Sequence, residues 1–182
     1  MSRSLAPERI LEGVVGPAAH EAWTWPLPQE PHLPGRNPRP NDANINRIVR
    51  LAPRPTDPKA WRENEAYRAG LRLYAHGYYW EAHEVWEPVW MHARPKSQER
   101  EMTQGLIQLA NAALKLKMAQ PAAARRLAAI AERHFREAGL GEATVVMGVG
   151  LAALIEACGG FVDGLRRGKE APAPTIPLIS EA

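Results

Sequence analysis

Cysteine is almost missing from this chain. Cys158 is the single one in 182 residues, so no disulfide can form within it. A reducing compartment is the simplest expectation, and the setting Glu156-Ala-Cys158-Gly-Gly-Phe161 reads as a small buried thiol, not a nucleophile. Phenylalanine is nearly absent as well, two residues against six Trp, so the placement of Trp is informative. Long apolar runs are lacking. No uncharged stretch is longer than Ala143 to Ile155, which is too short to span a bilayer and reads as a buried core helix. Met1-Ser-Arg-Ser-Leu5-Ala-Pro-Glu8 has no apolar leader segment. These absences lead us to expect a cytoplasmic protein with no membrane attachment. No alternating strand pattern extends over a useful length, which excludes a sheet-based fold. Gly148-Val-Gly150 reads as helix packing, and neither a glycine-rich phosphate loop nor a Ser-centred elbow occurs elsewhere.

Charge of one sign is not in large excess. The net charge is +3 with a pI near 9.2, too mild for a dedicated nucleic-acid binder. Arg36, Arg39, Arg47, Arg50, Arg54, Lys59 and Arg62 cluster ahead of the main helical region, and no nucleic-acid motif accompanies them. They read as a solvated basic arm, so no nucleic-acid partner is expected. Docking on an acidic partner is the lesser reading.

Proline, by contrast, is abundant and unevenly placed. Ten of the 17 prolines lie between Pro17 and Pro58. Pro26, Pro28, Pro31, Pro34, Pro38 and Pro40 forbid regular structure over their span. Residues 1–57 therefore read as an extended arm with a short helix from Ala6 to Val15, pinned to the body by Trp23, Trp25 and Leu27. Residues 58–168 read as a single antiparallel bundle of about five helices, and the class is all-α. Asp57-Pro58 is an N-cap with proline at the first helical position, and Gly77 is a stop. The second helix runs from Tyr78 to about His92. Ser97 caps the third, to about Met118. Pro121 opens the fourth, and the fifth covers about Glu142 to Arg167. Short connections make sequence neighbours pack antiparallel. Residues 169–182, with Pro172, Pro174 and Pro177, read as an extended or disordered tail.

The second helix carries the chemistry. His83, Trp86, Glu87 and Trp90 fall at i, i+3, i+4 and i+7 and share a face that Tyr79 and Trp80 extend. An aromatic stripe of this kind is normally buried, so His83 and Glu87 are expected to pair with each other. Glu81 and Glu84 fall on other faces, and Pro88 is expected to kink or break the helix beside the motif. On the third helix Gln104, Gln108, Asn111 and Lys115 form one polar stripe. Its three neutral amides suit a face that satisfies another polar group. The two stripes are expected to meet, with His83 and Glu87 joined to Gln104, Gln108 or Asn111.

Tyr79-Trp-Glu-Ala-His83-Glu-Val-Trp-Glu87-Pro-Val-Trp90, followed by Gln104-Gly-Leu-Ile-Gln108-Leu-Ala-Asn111, resembles the bacterial and archaeal domain of unknown function numbered 309. The resemblance spans roughly Tyr67 to Leu127 and implies an all-helical fold with a His-x-x-x-Glu-x-x-Trp motif at His83, Glu87 and Trp90. Metal binding has been suggested for that family, and no activity is established. Pro88 inside the motif and the long proline-rich arm depart from its pattern.

Three functions compete. In the leading one His83, Glu84, Trp86, Glu87, Trp90, Gln104, Gln108 and Asn111 form a buried polar network that fixes helix register. Function then lies in partner binding or self-association, a homodimer included. The alternative is a site for a divalent metal or small ligand on His83 and Glu87, a sound i, i+4 pair of ligands, completed from Glu84, Glu101, Gln108 or His134. The third is acid–base catalysis by the same pair. A di-iron site is not supported, because no second motif helix exists, and the zinc-protease pattern fails because Glu87 stands where His is required.

Overall fold

The computed structural model describes residues 26–141, 144–169 and 171–179. The expected helix from Ala6 to Val15, and Trp23 and Trp25, lie outside the described residues. Six helices are present among those described: α1 (Ala43–Leu51), α2 (Glu65–Ala75), α3 (Tyr79–His92), α4 (Gln98–Lys117), α5 (Pro121–Ala138) and α6 (Leu151–Arg166). The all-helical class and the packed bundle are as the sequence implies. From α2 to α5 each helix packs on its sequence neighbours, and α6 packs on α5. The start of α4 lies beside the end of α5, since Gln98 donates to the Leu140 carbonyl and His134 pairs with Glu101, which makes this pair antiparallel.

Local signals explain most boundaries. Ser97 accepts from the Arg100 amide to open α4, Pro121 sits at the first turn of α5, and Gly77, at φ +82°, follows the end of α2. Four expectations need correction. Asp57 does cap, but it caps a single 3-10 turn (Pro58–Ala60), and α2 begins only at Glu65 on the Asn64 cap. The arm holds α1, which Asp42 caps by accepting from the Asn44 and Ile45 amides. Ile45, Ile48 and Val49 then face the core at helical spacing.

The fifth helix of the sequence reading starts at Leu151, not near Glu142. The residues before it form a hairpin of β1 (Val145–Val146) and β2 (Val149–Gly150), with Met147 and Gly148 in the turn at positive φ. Gly148 is required there twice over. Its φ is +77°, and an added Cβ would lie 2.3 Å from the Trp61 ring. Gly148-Val-Gly150 is thus a hairpin turn and strand, not helix packing. The described part of the tail is extended and anchored. Gly150 N–H donates to the Pro177 carbonyl, Ile179 N–H to that of Gly148, and Tyr74 OH to that of Pro174. Its backbone extends the hairpin through a bridge between Val149 and Leu178.

The core centres on Tyr67, Leu73, Trp86, Met102, Leu106, Leu109, Phe135 and Leu154, all fully buried. Two aromatic rings set its spacing. Trp86 lies on Gly70, where a Cβ would fall 2.1 Å from Nε1, and that nitrogen donates to the Tyr67 carbonyl at 3.0 Å. Phe135 lies on Gly105 in the same manner, 2.4 Å from a hypothetical Cβ. Each contact lets two helices approach more closely than an alanine would permit. Cys158 is buried and its thiol is pushed up to about 12 by desolvation, which leaves it inert as a nucleophile. Among the described residues no helix is long and apolar enough to cross a membrane.

Candidate functional site

Of the kink or break expected at Pro88, the break does not occur: helix α3 runs on through Pro88 to His92. Its core side is made by Glu81, Ala82, Val85, Trp86, Pro88 and Val89. The motif lies along the rim of that side. Trp86 is fully buried, His83, Glu84 and Trp90 are half-buried, and Glu87 is exposed. The expectation of a buried His83–Glu87 pair is therefore corrected. The physical reason is which residues make close contact. Small and β-branched residues (Ala82, Val85, Val89) fill the tight space, while the large amphipathic rings of Tyr79, Trp80 and Trp90 cover the rim with one side toward water.

His83 pairs instead with α4. Its Nδ1 lies 2.9 Å from Asn111 Oδ1. A carbonyl oxygen only accepts, so Nδ1 carries the proton and the imidazole lone pair is left on Nε2. The amide stripe does meet the motif, but at Asn111. Gln104 and Gln108 are half-buried on the same helix, and among the described residues no hydrogen bond joins them to His83 or Glu87. One donor atom each from His83, Glu84 and Glu87 lies within 4.8 Å of the others. Trp90 is fixed by Arg100, whose guanidinium lies 4.4 Å from its ring centroid and donates to the Trp90 and Ala93 carbonyls at 2.9 and 3.1 Å. That also satisfies carbonyls at the open end of α3. On the other side Thr56 Oγ1 donates to the Val89 carbonyl.

The proline arm borders this site, a role the sequence did not disclose. Arg39 Nη2 meets Glu84 Oε2 at 2.7 Å, and its guanidinium sits 5.0 Å from the Trp80 ring centroid. His32 packs edge-on against Trp80 and is held through Asn37, which accepts from the Leu33 amide and pairs with His32 Nδ1. Tyr78 OH donates to the Pro28 carbonyl, and Leu27 packs on the core as expected. His32 N–H donates to Glu81 Oε1 at 2.8 Å. Glu81, not Glu87, is the buried carboxylate of this helix. It is 0% exposed, its Oε2 has no hydrogen-bond partner, and desolvation raises its pKa above the ordinary carboxyl value. Its spacing from Val85 and Pro88, i+4 and i+7, was the available signal that it shares the core side.

The remaining ligands considered for the motif do not join it. Glu101 and His134 form a separate cluster with Glu137 between α4 and α5. A concavity of about 460 Å³ lies along the arm and includes His32, Asn37 and Arg39 in its wall.

Comparison with known protein families matches part of the chain. The family model described as Domain of unknown function (DUF309) matches residues 67–127, from the first turn of α2 into α5, about a third of the chain. The matched segment includes all of α3 with His83, Glu87 and Trp90, and all of α4 with Asn111. Searches of curated proteins and of solved structures returned no match.

Proposed function

We propose that the rim of α3 binds a divalent transition-metal ion through His83 Nε2 and Glu87, with Glu84 as the third ligand. The observation that carries this reading is the hydrogen bond from His83 Nδ1 to Asn111 Oδ1. It orients the ring and leaves the lone pair on the other nitrogen, the arrangement in which second-sphere partners hold metal-binding histidines. An imidazole with two carboxylates suits zinc, manganese or a similar ion, and three protein ligands leave a further position for water or a small ligand. The exposure of Glu87 favours this reading over a purely architectural network, because an exposed carboxylate contributes little to helix register.

The test is a Zn²⁺ titration of metal-stripped full-length protein by calorimetry, beside His83→Ala and Glu87→Gln. The expected result is that His83→Ala loses one equivalent of bound ion while its circular dichroism is unchanged. A folded His83→Ala that takes up the ion with wild-type stoichiometry and affinity would overturn the proposal.

A further inference from the structure

Three places outside the motif carry ionisable groups: Glu81 under the arm, Lys59 and Arg62 in a concavity beside Trp61 and Met147, and the junction of α4 with α5. The last goes furthest. His134 Nδ1 lies 2.7 Å from Glu101 Oε2, and Glu137 stands one turn beyond His134 on the same helix. One donor atom from each of the three lies within 4.8 Å of the other two. We infer that Glu101, His134 and Glu137 form a second divalent-cation site that clamps the start of α4 to the end of α5, independent of the motif on α3.

Four observations support it. The donor set is one imidazole and two carboxylates drawn from two helices, a chemistry that suits zinc or manganese. Metal–ligand bonds of about 2.0–2.1 Å place tetrahedral donors about 3.4 Å apart. The 2.7 Å His134–Glu101 separation need open only slightly for an ion to replace the shared proton, and a donor atom of Glu137 already lies within 4.8 Å of both. The frame is stiff at this level. Phe135, next to His134, sits on Gly105, one turn from Glu101, so the two helices cannot slide without a clash. The electrostatics also favour a cation. Glu137 lies in the last turn of α5, where the partial negative charge of the helix end destabilises a bare carboxylate and attracts positive charge. The competing cation is Arg133, 3.8 Å from Glu137. It is 64% exposed and therefore well screened. His134 and Glu101 are only 17% and 26% exposed, which shields their side of the site while Glu137 admits the ion.

The experiment uses full-length protein carrying His83→Ala, so that the site on α3 cannot contribute whatever its fate. Co²⁺ alone is titrated in by calorimetry and by visible absorption, which reports nitrogen and oxygen ligation directly. The expected result is one bound ion, weakened at least ten-fold by adding Glu137→Gln and abolished by adding His134→Ala. Glu137 is exposed, so its substitution leaves the fold intact and keeps the test decisive. No binding in the His83→Ala protein, or binding that neither added change weakens, would overturn the inference.

Discussion

His83 and His134 each bring an imidazole to a pair of carboxylates, yet they are held in opposite ways. Around His83 the carboxylates stand on the same helix, and the neighbouring helix contributes only the neutral amide of Asn111. Around His134 the neighbouring helix contributes Glu101, a charged group that is itself a candidate ligand. Helical geometry alone fixes the first set, since i, i+1 and i+4 positions keep their relations wherever α3 goes. The second set exists only while α4 and α5 keep register. The first should therefore tolerate changes in helix packing that the second does not.

The sharpest way to break this contrast is Phe135→Ala. Removing a fully buried ring from its seat on Gly105 is expected to cost about 3–5 kcal/mol in denaturant unfolding. It should abolish cation binding at Glu101–His134–Glu137 while sparing the site at His83. Equal loss at both sites would mean that the α3 cluster depends on global packing too. Gly105→Ala approaches the same contact from the other side, and about 1–3 kcal/mol of overpacking strain is expected.

A smaller effect is expected from Asn111→Ala. Asn111 is half-buried, so the fold should survive, but His83 loses the acceptor that fixes its tautomer. Outer-sphere partners of this kind are worth about 10- to 100-fold in metal affinity. Zn²⁺ titration should find that loss at the His83 site and none at the His134 site. An unchanged affinity would remove Asn111 from the proposed site.

The third carboxylate environment lies on α3 itself, six residues before the exposed Glu87. Glu81 is desolvated and its folded-state pKa is raised above the ordinary 4.5. The folded protein then holds this proton more tightly than the unfolded chain, so the group's contribution is fully present below that ordinary value. It is lost as pH rises through the raised one. Glu81→Gln keeps an oxygen to accept from His32 N–H and removes the titration. Thermal melts from pH 4 to 8 should show wild type losing stability relative to the variant across this window. Parallel curves would mean that Glu81 titrates normally. Glu81→Ala, which strands the His32 N–H, should cost about 1–3 kcal/mol at any pH.

Much of this was legible in the sequence, and the failures have physical causes. Caps and breakers at Ser97, Pro121 and Gly77 gave the order and limits of the central helices, because those signals act through backbone groups within one turn. The motif helix and its contact with the amide stripe of α4 followed from periodicity. Burial did not, because it depends on which neighbours arrive. Glu81 is covered by His32, which is 49 residues away, and no local spacing encodes that approach. The hairpin before α6 was hidden for the same reason. Val145 to Gly150 looks helical until its two halves pair with each other, Val149 bridges to Leu178 of the tail, and Tyr67 OH, 80 residues away, donates to the Met147 carbonyl. The second cluster was hidden because Glu101 lies 33 residues from His134 on another helix, and no local spacing joins the two.

The smallest expected effect concerns the arm. Arg39 occupies one oxygen of Glu84, so an ion arriving at the His83 site competes with a cation already in place. The pair is mostly solvent-facing, with Arg39 69% exposed, and such pairs are worth about 0–1 kcal/mol. Arg39→Ala should therefore raise affinity for Zn²⁺ at that site by no more than about five-fold. The gain should shrink as salt screens the guanidinium in the wild type. Among the described residues no hydrogen bond or ion pair joins the His134 site to the arm, so that site serves as the internal control. A gain confined to the His83 site would make the arm a weak brake on it. If both sites gained equally, the cause would be the protein's net charge. If neither gained, the Arg39–Glu84 pair would contribute nothing measurable and the arm would be no brake on the site.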